Sequence, residues 1–64
     1  MLIEVGQIWN VYSQLAKRWT PATIIEISGE FVVLQYRDIP QTLQCDLTQL
    51  RYCPEQFQLV ESHA

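Results

Sequence analysis

Residues 19–36, WTPATIIEISGEFVVLQY, constrain the fold more than any other stretch of the chain. Two apolar, β-branched runs at 22–27 and 31–36 stand either side of Ser28-Gly29-Glu30. Ile, Val, Thr, Phe and Tyr fit a pleated surface, and Gly supplies the positive φ of a tight turn. The stretch reads as a β-hairpin. A Ser28-Gly29 loop sets Ile25 opposite Val32 and Thr23 opposite Leu34. One side then carries Thr23, Ile25, Ile27, Val32, Leu34 and Tyr36. The other carries Ala22, Ile24, Glu26, Phe31, Val33 and Gln35. Both sides are largely apolar, whereas a sheet with one wet face alternates more cleanly. The hairpin is therefore expected to be wrapped by the rest of the chain.

The flanking segments read as shorter strands. Gln7-Ile8-Trp9-Asn10-Val11-Tyr12 alternates with the period of a strand, placing Trp9 and Val11 inside and Ile8 and Tyr12 on the other face. Residues 13–18 form a loop or short turn. Pro21 fixes φ and lacks an N–H, which suits the first residue of a strand. Asp38 and Pro40 mark a turn, and 42–45 is a further strand. Asp46 followed three residues later by Gln49 is a capping-box pattern, which starts a helical or 3₁₀ turn over 46–50. Leu47 and Leu50 would plug the end of the fold. Residues 51–53 read as a short strand stopped by Pro54, and 58–60 as a last strand pairing with the first. Short strands with brief connections predict an all-β, closed or partly open barrel. Closure would hide the sheet edges. The expected organisation is one domain over 1–64, with its core at about 5–60 and a tail at 61–64.

A chain of 64 residues buries only about 60% of the surface that its unfolded form exposes. Its hydrophobic fraction of 48% nevertheless supplies a core and argues against disorder. The net charge of −3 disfavours non-specific attraction to nucleic acid. Nothing resembles a signal peptide, and no apolar stretch approaches the ~20 residues that span a bilayer. Cys45 and Cys53, the two cysteines, are expected as free thiols in a reducing, cytoplasmic setting. No metal or other cofactor is expected, since tetrahedral zinc takes four ligands and the single histidine, His63, sits on the tail. Catalysis is not expected either. His63 has no evident Ser or Cys partner, the seven carboxylates are scattered, and the two glycines make no phosphate loop.

Several of these pieces together carry a family likeness. Val5-Gly6 opens a strand. Trp19-Thr20-Pro21-Ala22-Thr23-Ile24 enters a hairpin that ends at Tyr36. A polar loop follows, then Asp46-Leu47 and Leu50. Over residues 5–50 the chain resembles a Tudor-like module of the SH3-like barrel superfamily. The resemblance implies a small five-stranded barrel with a short turn near 46–50. It does not name a ligand, because one barrel hosts many functions. Tudor-like readers of methylated lysine or arginine carry an aromatic cage at one end of the barrel, where ring faces attract a quaternary cation. By that resemblance Tyr36 and Asp38 match two cage positions. Ser13 and Thr20 fall where two aromatics would stand, and Ile39-Pro40 replaces a further one. Tyr12 and Trp19 are each one residue off, which in a strand points a side chain to the opposite face.

Lys17, Arg18 and Arg37 are three of the four basic residues, and Trp19 and Tyr36 lie beside them. In an SH3-like barrel the loops after the first and third strands approach one another. Lys17, Arg18, Trp19, Tyr36, Arg37 and Asp38 are therefore the candidate partner-binding residues, gathered at one pole. Arg, Trp and Tyr are common interface anchors. The leading expectation is a non-enzymatic interaction module or small accessory subunit that binds a protein partner. The alternative is nucleic-acid or ribosome association through the same pole, where Arg and aromatic rings suit phosphates and bases. A methyl-lysine or methyl-arginine reader with an incomplete cage is the third reading.

Overall fold

The computed structural model describes residues 2–14 and 16–61. In chain order the elements are β1 (Ile8–Ser13), β2 (Arg18–Ser28), β3 (Phe31–Tyr36), β4 (Thr42–Asp46), α1 (Leu47–Tyr52) and β5 (Phe57–Glu61). All five strands join one antiparallel sheet in the order β4-β3-β2-β1-β5. The fold is all-β with one short helix. The edge strands β4 and β5 are not paired with each other, so the sheet has two free edges and no closed ring. Of the closed or partly open barrel expected from the sequence, the all-β character is seen and closure is not. No helix among the described residues is long and apolar enough to cross a membrane. His63 and the rest of 62–64 lie outside the described residues, as does Leu15.

Alternation decides what is buried. Trp9 and Val11 face inward from β1, as their spacing predicts, at 1% and 3% exposure. Ala22 and Ile24 from β2 meet Val32 and Leu34 from β3, all with no exposed surface. Leu50 of α1 and Phe57 of β5 complete this core, with Leu47 packed against it. The helix bridges β4 and β5, contacting both. Asp46 caps it. The Asp46 N–H donates to Gln49 Oε1 at 3.0 Å, one arm of the capping box that the sequence spelled. The helix runs on through Arg51 and Tyr52, so the strand expected at 51–53 does not form. Arg51 sits in the last turn, where a cation complements the helix dipole.

The hairpin forms, with a different register. Ser28 pairs with Phe31, so the loop is Gly29-Glu30 rather than Ser28-Gly29. Gly29 has φ +60° and Glu30 is not in the positive-φ region, the φ pattern of a type II′ turn. Ile27 pairs with Val32 and Glu26 with Val33, then Ile24 with Leu34. Ile25 is left over as a β-bulge. The bulge inverts the alternation on β2, so Ile24 turns inward and Ile25 outward. Ile25 is 49% exposed and Phe31 50%. The hairpin is thus covered on one face, not wrapped.

Pro21 also sits elsewhere than expected. It is inside β2, opposite Asn10, because β2 begins at Arg18. Its carbonyl accepts from Arg37 N–H at 3.0 Å, so its missing N–H points to the same side. There β3 has ended at Tyr36, so the missing donor falls at the margin of the β2–β3 ladder and not within it.

Gln7 is a buried polar residue at 2% exposure. Its Oε1 accepts from Glu4 N–H at 3.1 Å and from Trp9 Nε1–H at 3.2 Å, and its Nε2 donates to the Leu2 carbonyl at 2.8 Å. Gly6, at φ +98°, makes the turn that this network closes. Burial of an amide is tolerable only when it is bonded. Gln7 thereby ties the N-terminal turn to the indole of the core.

Candidate functional site

Antiparallel pairing sends the β1–β2 loop and the β3–β4 loop to the same end of the sheet. They border a cleft of about 290 Å³. Ser13 and Ala16 line it from the end of β1 and its loop, Arg18 and Thr20 from β2, Tyr36 from the end of β3, and Ile39 and Gln41 from the β3–β4 loop. The convergence of the two loops is as the sequence led us to expect. A second groove of about 460 Å³ adjoins it, sharing Ser13 and Tyr36. That groove runs along the open seam, between Gln44 and Cys45 of β4 and Gln56 and Phe57 at the start of β5.

Each wall of the cleft has a local cause. Thr20 lies two residues before Ala22 and shares its inward face, leaving it 5% exposed. Tyr36 pairs with Ala22 and is half-buried on the same face. Burial raises the Tyr36 phenol above its usual pKa, with Cys45 a smaller contribution. The β3–β4 loop is held by Gln35, whose Nε2 donates to the carbonyls of Gln41 at 2.9 Å and Tyr36 at 3.2 Å. Tyr36 N–H donates to the Gln41 carbonyl at 3.0 Å, and Gln41 N–H to that of Ile39 at 2.8 Å. These bonds fold the loop back so that Ile39 reaches the cleft. Lys17 takes φ +54°, a left-handed conformation that is uncommon outside glycine, asparagine and aspartate. The strain sits where the chain must turn from β1 into β2.

Of the six candidate residues, Arg18 and Tyr36 line the cleft together. Lys17, Arg37 and Asp38 are exposed in the two bordering loops. Trp19 is separated from them. It pairs directly with Tyr12, on the face opposite the buried Val11 and Thr20. The two rings meet edge to face with centroids 5.4 Å apart and an interplanar angle of 68°. Trp19 remains 40% exposed on that outer face. A single pole containing both Trp19 and Tyr36 is therefore corrected by strand alternation. Tyr36 is the one aromatic in the cleft lining. Ser13, Thr20 and Ile39, placed at cage positions by the resemblance, border it, Tyr12 lines the adjoining groove together with Tyr36, and Trp19 lines neither.

Ala16, Gln35 and Gln41 escaped the sequence reading. Nothing in their spacing singles them out, since their place follows from loop conformation. Cys45 is buried and Cys53 half-buried, both as free thiols. Burial, and then the neighbouring Asp46 charge, push the Cys45 thiol up to about 11. Among the described residues no three His, Cys, Asp or Glu side chains gather to hold a metal ion. Compared with known proteins, the chain matches no family model, and no curated protein or solved structure is significantly similar to it.

Proposed function

We propose that this chain is a non-enzymatic interaction module that binds a protein partner through the cleft end of its sheet. The observation that carries the reading is the meeting of two loops around a cleft lined by Arg18, Thr20 and Tyr36. Arg18 makes no ion pair, and Thr20 and the Tyr36 phenol make no side-chain hydrogen bond within the described protein. We further assign the sheet to the SH3-like, Tudor-like plan. The strand order β4-β3-β2-β1-β5, with a short helix between β4 and β5, supports that assignment. The two free thiols accord with a cytoplasmic location.

A methylated-cation reader is weakened by two features. One ring does not make a cage, and the Arg18 guanidinium at the cleft repels a cation. The test is affinity capture from native lysate with and without nuclease. A specific partner that survives nuclease and is lost with Tyr36→Ala, but kept with Trp19→Ala, supports the reading. Capture that disappears with nuclease would transfer the function to nucleic acid.

A further inference from the structure

We infer that the cleft receives a side-chain carboxylate from an acidic segment of the partner protein, an inference that rests on the reading of this end as a protein-binding site. Two independent observations converge on it. The first is the chemistry of the lining. Arg18 offers a guanidinium with no ion pair among the described residues, and Gln41 an amide. Ser13 Oγ already accepts from Ala16 N–H at 3.2 Å, which leaves its hydroxyl hydrogen to donate. Thr20 is nearly buried, yet no fully buried side-chain oxygen among the described residues lacks a partner. Its hydroxyl, bonded to no protein group, therefore opens into the cleft. The lining holds no carboxylate. A cleft whose polar groups include several donors and no negative group is matched by an anion that accepts several bonds. A carboxylate does so, with the bidentate geometry that arginine favours.

The second observation is where the charge lies. Lys17, Arg18, Arg37 and Asp38 net +2 in a chain of −3, so the remaining charged groups net −5. The two loops that border the cleft are thus locally positive in a chain that is negative overall. An acidic segment is favoured beside these loops. A lone terminal carboxylate would use Arg18 alone. A run of Asp or Glu also meets Lys17 and Arg37 in the flanking loops.

The inference is tested by following the backbone amide signals of the labelled full chain by NMR. The first probe is hexaglutamate blocked at both ends, at millimolar concentration. Shifts confined to Ser13, Thr20, Tyr36 and Gln41 are expected, weakening severalfold between 50 and 300 mM salt. Arg18→Gln, at an exposed position, is expected to weaken binding about tenfold with an unchanged melting temperature. Thr20→Val, which keeps the shape of the side chain, is expected to weaken it less. Comparison probes are hexaserine with a free C-terminal carboxylate, a trimethyl-lysine peptide and a short oligouridylate. Tighter binding of any of them at the cleft overturns the inference, as does a blocked hexaglutamate that shifts nothing there or binds Arg18→Gln equally well. If a captured partner is lost with Tyr36→Ala but is not displaced by blocked hexaglutamate, the protein-binding reading stands and the acidic-segment inference falls.

Discussion

Leu34 has no exposed surface and stands opposite Ile24 in the middle of the sheet. Leu34→Ala is expected to destabilise the fold by about 2–5 kcal/mol, the cost of truncating a buried leucine. In so small a domain that lowers the melting temperature by many degrees, and a melting curve superimposable on the wild type would remove Leu34 from the core. Trp19 provides the contrast. It keeps 40% of its surface exposed and packs on Tyr12 outside the core. The edge-to-face pair contributes about 0.5–1.5 kcal/mol beyond its area. Trp19→Ala should therefore cost less than Leu34→Ala and leave affinity at the cleft intact. At Gly29 the expected cost is conformational alone. A Cβ there would meet no atom within 4 Å, but φ is +60°. Gly29→Ala is expected to destabilise by about 1–2 kcal/mol through backbone strain. Equal stability by chemical denaturation would mean that the turn relaxes to another type.

The strands show which features a sequence carries openly and which it hides. Trp9 and Val11 on β1, the hairpin itself, and the Asp46–Gln49 start of α1 were legible because each is a local pattern with one physical reading. The bulge at Ile25 was not. Ile24 and Ile25 are the same residue type in succession, so period-2 counting cannot tell which is inward. Only the turn geometry at Gly29-Glu30 and the pairing with β3 decide it. The end of α1 was hidden for a similar reason, since Arg51 and Tyr52 suit a strand or a helix and tertiary contacts chose the helix. The cleft was half legible. Arg18 and Tyr36 follow from strand ends, but Thr20, Ile39 and Gln41 depend on where β2 begins and how Gln35 folds the loop. The bulge itself is testable. Ile24→Ala should cost about 2–4 kcal/mol and Ile25→Ala less than about 1 kcal/mol. The reverse ranking in denaturant melts would restore the register in which Ile25 faces Val32.

Across the whole molecule, charge and burial together set the response to pH. The sheet buries Cys45 to 7% exposure, beside Asp46. Desolvation and that negative neighbour both oppose the thiolate, holding the folded-state thiol at about 11 against an ordinary value of 9.0. Tyr36 is raised in the same direction by burial. A raised acid of this kind stabilises the fold fully below the ordinary value, where both states keep the proton. Above it, the unfolded chain loses its proton first, and the contribution is lost as pH rises through the folded value. Stability should therefore hold from pH 7 to about 8.5 and then fall, with Cys45 accounting for roughly 1 kcal/mol by pH 10. Cys45→Ala removes this titration, so its stability should decline less steeply over pH 8.5–10.5 than that of the wild type, whatever the cost of the lost sulfur at pH 7. The measurement is urea denaturation of both proteins at half-unit steps of pH. Parallel declines would show that the Cys45 thiol does not govern the alkaline limb. Labelling gives an independent check of the same cause. At pH 8 a thiol reagent should modify half-buried Cys53 well before Cys45, because the reactive thiolate of Cys45 is both scarce and covered.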